Sequence, residues 1–200
     1  MGWLTEKKFM TNETIVLYKQ DRILAKTLLP LIPHWIKPNH ITILRLLLIP
    51  ANVYFVLIEN WIILLPLFAF TAFTDMVDGA MARVRKQITL WGAILDPTAD
   101  KLLMASVGGI FIVRNVSPLL AYTVIFLEFL IVLGAYSRRR RGEYICANGA
   151  GKVKFTLQAF GLGFMLLGAL LAQPILIFFG TALMIISLGF AITSLLTYGL

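Results

Sequence analysis

The stretch TDMVDGAMARVRKQITLWGAILDPTAD, residues 74–100, decides the fold that this sequence predicts. It places Asp75, Asp78, Asp96 and Asp100 inside segments that otherwise indicate two membrane-spanning helices. A charged side chain at membrane depth costs about 2.5–3.5 kcal/mol even on the mildest scale, so such residues normally face a protein interior or a wet cavity. The spacing within each pair of acids puts both members on one face of a helix. Two such helices facing each other would bring the four acids together.

Four neighbouring carboxylates repel one another unless cations lie between them. Two divalent ions would neutralise the four charges, and no His or Cys lies near the acids in sequence. Such a set of hard oxygen ligands favours magnesium, manganese or calcium over zinc. Magnesium bound by carboxylates usually shares its remaining positions with a substrate phosphate. The cluster therefore predicts a phosphate-bearing substrate.

The same stretch fits the pattern D-x2-D-G-x2-A-R-x8-G-x3-D-x3-D without a gap. The matching residues are Asp75, Asp78, Gly79, Ala82, Arg83, Gly92, Asp96 and Asp100. This pattern resembles the signature of the CDP-alcohol phosphotransferases. A buried ion-pair network is the alternative, and it is disfavoured because the segments carrying the acids offer too few cations to pair them.

The resemblance implies an activity and a set of metal ligands. The donor would be a CDP-activated lipid, an acceptor hydroxyl would attack the phosphorus that bears the lipid, and CMP would leave. By the same resemblance, Asp75, Asp78, Asp96 and Asp100 would hold two Mg²⁺ or Mn²⁺ ions. Asp100 would also be the catalytic base that takes the acceptor proton.

The resemblance further implies a nucleotide site. The segment PNHIT, residues 38–42, followed by Arg45, resembles the start of bacterial family members, where this segment lines the nucleotide site. Gly79 and Ala82 would let the nucleotide approach the helix, and Arg83 would reach its phosphate or base. The residues assigned to this site are Asn39, His40, Ile41, Thr42, Asp78, Gly79, Ala82, Arg83 and Thr89.

Two further segments bear on the acceptor. DPTADK, residues 96–101, and GKVKFTLQ, residues 151–158, most resemble the branch of the family that uses glycerol 3-phosphate. That branch commonly has Arg before the acid at Glu128, whereas this chain has Leu127. The acceptor phosphate must then rely on other cations, and the candidates are residues 138–141, Lys152 and Lys154, of which we assign Arg138 and Lys152. Phosphatidylglycerol (giving cardiolipin), inositol phosphate, serine and amino alcohols remain alternative acceptors, and an ion transporter or channel is an alternative of another class.

Composition predicts an all-α integral membrane protein. The 200 residues are 59% hydrophobic, with a mean hydropathy of +0.85, and their apolar runs approach the ~20 residues that span a bilayer. Residues 1–37 form an N-terminal segment whose amphipathic helix, residues 13–31, is predicted to lie in the membrane interface. Residues 38–200 form one membrane domain of six transmembrane helices. The predicted spans are residues 38–57, 61–82, 90–113, 118–136, 151–171 and 174–196.

The charge distribution predicts the orientation. The formal net charge is +8, but Lys and Arg gather beside the apolar spans, which is typical of cytoplasmic loops rather than of nucleic-acid binding. Both termini and the acidic site are therefore predicted to face the cytoplasm, with membrane lipids as neighbours. The resemblance to bacterial family members implies a bacterial inner membrane. We expect no cleaved signal peptide. The lone Cys146 predicts no internal disulfide. The family resemblance implies a homodimer.

Overall fold

The chain is described here by a computed structural model that covers residues 19–33, 35–87, 89–140 and 149–198. In these residues the chain is helical, apart from short connections, and contains no strand, which confirms the predicted all-α class. The helices in chain order are α1 (Lys19–Thr27), α2 (Pro38–Leu57), α3 (Trp61–Val84), α4 (Leu90–Leu103), α5 (Gly109–Asn115), α6 (Pro118–Arg140), α7 (Gly149–Leu170) and α8 (Pro174–Tyr198).

Four of these helices are long and apolar enough to cross a membrane. They are α2, α3, α7 and, as far as Leu196, α8. Helix α6 contains a shorter apolar stretch, Pro118–Gly134. The predicted third span corresponds to α4 and α5, which are joined by a π-helical segment, Met104–Gly108. The count of six spans therefore stays a prediction.

The π-helical segment is a feature that the apolar pattern does not predict. Its Ser106 hydroxyl donates to the carbonyl oxygen of Leu102 at 2.5 Å, within the preceding turn. A π-turn widens the helix locally by one residue, which shifts the face that each following side chain presents. The helical direction continues through it into α5, whose Phe111 and Ile112 are buried.

The observed helix ends differ from the predicted ones by a few residues. Helix α6 extends to Arg140 rather than ending at residue 136, and α7 begins at Gly149 rather than at residue 151. Arginine has a high helix propensity, which favours the longer α6.

The predicted amphipathic helix is described from residue 19 onward. It is α-helical as α1 and continues as a 3₁₀ turn, Leu29–Leu31, whereas residues 13–18 lie outside the described residues. Leu24 and Leu29 are buried in a cluster with Ala80 and Met81 of α3. The apolar side of α1 therefore packs against protein. Ile23, Leu31 and Trp35 stay exposed and support the predicted interfacial position, which remains a prediction.

Arg85 fixes the connection between α1 and α2. Its guanidinium donates to the carbonyl oxygens of Leu29 at 3.2 Å, Ile32 at 2.7 Å and Ile36 at 3.1 Å. The Leu29 carbonyl also accepts the 3₁₀ hydrogen bond from the Ile32 N–H, whereas Ile32 and Ile36 lie in the irregular segment after that turn, where carbonyls need other donors. Arg85, two residues after the motif residue Arg83, thus holds this connecting backbone in place.

The chain divides into two compact units. The first comprises Met1–Leu48 and Phe70–Asp100, and the second comprises Ile49–Ala69 and Lys101–Leu200. The predicted division at residue 37 rests on membrane position, since it separates an interfacial segment from the membrane spans. The two units differ from it because they reflect compactness, and the division at residue 37 stays a prediction.

The second unit is held by close packing of α7 against α8. A Cβ added at Gly180 would lie 2.5 Å from the Gly161 carbonyl oxygen, and one added at Gly168 would lie 2.8 Å from Ile177 Cγ1. Only glycine permits two helix backbones to approach so closely, as in the small-residue interfaces of membrane helices. By contrast, a Cβ at Gly163 would meet no described atom within 4 Å.

Candidate active site

The acids of residues 74–100 lie in the first unit, on two helices. Asp75 and Asp78 belong to α3, and Asp96 and Asp100 belong to α4. Helix α2 adds Thr42 and Arg45, which are one turn apart and share a helix face. Both of these side chains are buried.

Arg45 is the centre on which three of the acids converge. Its Nη1 lies 2.8 Å from Asp75 Oδ1 and 2.6 Å from Asp100 Oδ1, and its Nη2 bonds Asp78 Oδ2. The Arg45 side chain has no exposed surface. A buried guanidinium must be paired and hydrogen-bonded to be tolerated, and these carboxylates do both. The predicted convergence of the acids is thus observed for Asp75, Asp78 and Asp100.

Thr42 connects the fourth acid to the others. Its hydroxyl oxygen lies 2.8 Å from Asp96 Oδ1 and 3.0 Å from Asp78 Oδ2. A threonine hydroxyl carries one hydrogen, so it can donate to only one of these two carboxylates at a time. The other contact is satisfied when that carboxyl group carries a proton, and a cation bound to the ionised carboxylates would offset their charge.

The chemistry of these residues fits a divalent cation, although their present geometry does not form a metal site. Within the described residues, no group of three or more His, Cys, Asp or Glu side chains is arranged to hold a metal. Asp78 Oδ1, however, is buried without a hydrogen-bond partner among the described residues. Four carboxylates near one guanidinium also leave negative charge in excess. Hard oxygen donors with unsatisfied acceptor capacity are suitable ligands for Mg²⁺ or Mn²⁺.

Arg83 forms a two-point salt bridge with Asp21 of α1. Its Nε and Nη2 donate to the two carboxylate oxygens of Asp21, both at 2.8 Å. Asp21 is fully buried, and Arg83 is 28% exposed. A Cβ added at Gly79 would lie 3.3 Å from Arg83 Nη1, so the guanidinium lies over the helix at that glycine. The space predicted for a nucleotide beside Gly79 therefore holds the Arg83 guanidinium here.

Thr89 and Asn39 join the starts of α4 and α2. The Thr89 hydroxyl accepts from the backbone N–H of Gly92 at 3.0 Å and donates to Asn39 Oδ1 at 2.9 Å. The first contact is an N-terminal helix cap. A Cβ at Gly92 would lie 3.0 Å from Thr89 Oγ1 and 3.1 Å from Asn39 Oδ1. This contact gives a packing reason for the motif glycine at Gly92.

The remaining residues assigned to the nucleotide site differ in exposure. His40 is exposed and accepts a long hydrogen bond from the Lys37 N–H at 3.4 Å. Ile41 and Ala82 are half-buried. Ile41 packs against the buried cluster of Leu24, Leu29, Ala80 and Met81, so its side chain also contributes to the packing of α1.

Two buried charges have roles that the sequence alone does not reveal. In the sequence, Arg45 is only part of the segment after PNHIT, and Asp21 is one acid within an amphipathic helix. The three-residue spacing from Thr42 is a usable signal for Arg45, because it places both side chains on one face of α2. No signal of this kind identifies Asp21, because its partner is distant in sequence.

The residues assigned to the acceptor phosphate belong to the second unit. Lys152 of α7 is exposed. Lys154 is buried, with Nζ 2.5 Å from Glu128 Oε1, and Gln158 Nε2 donates to the same oxygen at 3.2 Å. Glu128 thus has a cationic partner, Lys154 of α7, although the residue before it is Leu127 and not the expected Arg. The side chain of Arg138 and all of Arg141 lie outside the described residues.

Comparison with known proteins places this site in context. The family model described as CDP-alcohol phosphatidyltransferase matches residues 35–193, more than half of the chain. Three relatives share the name CDP-diacylglycerol–glycerol-3-phosphate 3-phosphatidyltransferase. The protein from Pseudomonas fluorescens is 51% identical over 71 residues, which cover 34% of this chain and 36% of the relative.

The other two relatives match longer segments at lower identity. The Aquifex aeolicus protein is 35% identical over 102 residues, 48% of this chain and 56% of the relative. The Rickettsia typhi protein is 29% identical over 136 residues, 66% of this chain and 76% of the relative. The matched segment thus spans about a third and about half of the length of the first two relatives, and about three quarters of the third.

Proposed function

The chain belongs to the CDP-alcohol phosphatidyltransferase family, and from that premise we propose that it transfers a phosphatidyl group from CDP-diacylglycerol to glycerol 3-phosphate. The products are CMP and phosphatidylglycerophosphate. The observation that carries this proposal is the convergence of three motif acids, Asp75, Asp78 and Asp100, on the buried guanidinium of Arg45. The names of the three relatives support the choice of donor and acceptor.

Two Mg²⁺ or Mn²⁺ ions are the proposed cofactors. Their ligands are Asp75, Asp78, Asp96 and Asp100. When bound, such ions supply charge stabilisation to the oxygens of an in-line displacement at phosphorus. The unpartnered Asp78 Oδ1 and the hydroxyl shared between Asp78 and Asp96 support this assignment.

The proposed reaction needs one base from the protein. Asp100 accepts the proton of the glycerol 3-phosphate hydroxyl, and the deprotonated oxygen attacks the phosphorus that bears the diacylglycerol. The bond from this phosphorus to the oxygen of the CMP group breaks, and CMP leaves with the bonding electrons. Asp100 is 21% exposed, which supports its access to substrate. Positioned proton transfer contributes typically about 10²–10⁴-fold to such a step.

The nucleotide of the donor is proposed to bind along α3 and the starts of α2 and α4. Asn39, His40, Ile41 and Thr42 contribute from α2, Gly79, Ala82 and Arg83 contribute from α3, and Thr89 contributes from the turn before α4. The hydrogen bond between Thr89 and Asn39 supports a common site for these two residues. The planar fork of Arg83 can bond one phosphate through two N–H groups, and in this proposal the donor phosphate takes the place of Asp21, which the fork bonds here.

The acceptor phosphate is proposed to bind Lys152 and Arg138. Lys154 is an alternative cation by position, but it is already paired with Glu128 inside the second unit. The Lys152 side chain is exposed and lies in the first turn of α7. A dianionic acceptor needs such cations because the donor's pyrophosphate would repel it from the metal ligands.

The setting of the reaction is part of the same proposal. Six spans would place both termini and the acidic site on the cytoplasmic side of a bacterial inner membrane. The interfacial segment is residues 1–37 and the membrane domain is residues 38–200. We infer a homodimer from the family resemblance, with membrane lipids as the remaining neighbours.

An acceptor competition tests the proposal. Purified protein is given CDP-diacylglycerol and Mg²⁺ with glycerol 3-phosphate, phosphatidylglycerol, inositol phosphate or serine, and the lipid formed is identified by mass spectrometry. We expect phosphatidylglycerophosphate from the first acceptor and little product from the others. Cardiolipin from phosphatidylglycerol, with glycerol 3-phosphate inert, would contradict the acceptor and leave the donor assignment standing.

A further inference from the structure

Arg45 makes contacts that the transfer reaction, as described above, does not use. The three carboxylate oxygens that it contacts belong to proposed metal ligands: Asp75 Oδ1, Asp78 Oδ2 and Asp100 Oδ1. These contacts bring the acids of α3 and α4 together on a residue of α2. The guanidinium therefore neutralises, in part, a cluster that would otherwise repel itself.

The Arg45 side chain is also incompletely satisfied where it lies. Its Nε is buried without a hydrogen-bond partner among the described residues. A buried donor left without a partner is destabilising, so this position of the side chain is held by its charge interactions rather than by a full set of hydrogen bonds. The guanidinium is thus bound strongly through its two Nη atoms, whereas Nε contributes no bond to a described residue.

A divalent ion on the same oxygens would oppose this arrangement. Each contacted oxygen that bonds an ion directs electron density away from the guanidinium, and the ion and the guanidinium carry like charges. Inside a protein, such repulsion is several times stronger than in water. Arg45 and the divalent ions therefore cannot both hold these oxygens without mutual cost.

We propose that Arg45 is the internal counter-ion of the metal-free acidic cluster and competes with divalent cations for the oxygens of Asp75, Asp78 and Asp100. This inference rests on the proposed function, because it takes these acids as metal ligands. Arg45 is here a positioning residue. It holds the ligands of α3 and α4 near one another until metal replaces it.

The test is a direct measurement of metal binding without donor or acceptor. Mn²⁺ is titrated into detergent-solubilised wild-type protein, Arg45→Met and Arg45→Lys, with calorimetric detection. Arg22→Met is the matched control, because it removes the same charge from an exposed position on α1. Thermal unfolding is measured in EDTA and in Mn²⁺ for each protein.

The competition predicts a stronger metal site once the arginine is removed. Arg45→Met should bind Mn²⁺ at least about tenfold more tightly than wild type, which corresponds to 1.4 kcal/mol. Its Tm should be lower than wild type in EDTA and should rise more on addition of Mn²⁺. Arg45→Lys, which keeps the charge but loses the fork, should show the same changes to a smaller degree. Arg22→Met should match wild type.

Two outcomes overturn the inference, and they are distinguishable from each other. Mn²⁺ affinity that is unchanged or weaker in the Arg45 variants would show that the arginine does not compete with metal. If Arg45→Met does not fold, the Mn²⁺ affinity of Arg45→Lys relative to wild type decides between competition and its absence. Absence of Mn²⁺ binding in both wild type and Arg45→Met would overturn this inference together with the metal-dependent function proposed above.

Discussion

Asp75, Asp78 and Asp96 are expected to be indispensable as single side chains. Each Asp→Asn change removes one ligand charge, and a charge-assisted bond is worth about 1.5–3 kcal/mol. Metal affinity should therefore fall roughly 10- to 100-fold at 1.4 kcal/mol per decade. CMP release should be lost at limiting Mg²⁺ while the protein still inserts into membranes. EDTA should reproduce the loss in wild type, and full activity in EDTA would exclude a role for divalent ions.

Asp100 should differ from the other acids in which step it affects. Asp100→Asn removes the proposed proton acceptor, so transfer should fall by about 10²–10⁴-fold. Binding of CDP-diacylglycerol should survive better in this variant than in Asp75→Asn. Equilibrium binding of a non-transferable CDP-lipid checks the comparison. Equal loss of donor affinity in both variants would make Asp100 a ligand without a separate role.

Gly79 and Gly163 provide a matched pair for the motif glycine. A Leu at position 79 would displace the Arg83 guanidinium, which lies 3.3 Å from the place of a Cβ, and would fill the surface proposed for the nucleotide. A Leu at position 163 meets no described atom within 4 Å of its Cβ. Donor binding should be lost in Gly79→Leu and kept in Gly163→Leu. Retained donor affinity in Gly79→Leu would remove the glycine from the nucleotide site.

The acids of this site can be predicted from the sequence, but their counter-ion cannot. The acids stand out because charges are rare in apolar helices and because their spacing is regular. The pairing of Arg45 with three of them, and of Arg83 with Asp21, depends on how helices distant in sequence approach one another. Spacing within one helix carries no information about that approach.

At the scale of helices, the long apolar segments are predictable and their details are not. Apolar length alone identifies α2, α3, α7 and α8. The π-helical segment Met104–Gly108 is not predictable in this way, since it reflects a shift in the hydrogen-bond ladder rather than a change in hydropathy. The close approach of Gly161 to Gly180 likewise depends on which faces of α7 and α8 meet.

Helix α7 carries two lysines for which we predict opposite effects. Lys154→Met leaves Glu128 without its cation, and breaking a buried pair costs about 3–5 kcal/mol. The Tm of this variant should fall. Lys152→Ala removes an exposed cation, so stability should be unchanged while the KM for glycerol 3-phosphate rises roughly 10- to 100-fold, the effect of one charge-assisted bond.

Thermal unfolding and acceptor kinetics on both lysine variants make the comparison. Glu128→Gln serves as the control, since it removes the charge that Lys154 needs and should partly restore stability when combined with Lys154→Met. An unchanged KM for glycerol 3-phosphate in Lys152→Ala would show that other cations bind the acceptor phosphate.

At the scale of the whole molecule, the family and the helical class follow from the sequence, whereas topology and assembly do not. The positive charge beside the apolar spans predicts a cytoplasmic site, but orientation is set by the membrane and by insertion. A homodimer depends on a second copy of the chain. Cysteine labelling from either side of sealed vesicles, on a variant with a single cysteine in the connection after α3, would report the side that the site faces.

The proposed reaction releases CMP as the chain transfers the lipid phosphoryl group to glycerol 3-phosphate. The most direct measurement gives purified protein CDP-diacylglycerol, radiolabelled glycerol 3-phosphate and Mg²⁺, and follows CMP release and label in the lipid phase together. We predict that both products appear in equal amounts and that both are abolished by Asp78→Asn. CMP release without label in the lipid phase would contradict the acceptor, and no CMP release would contradict the transferase itself.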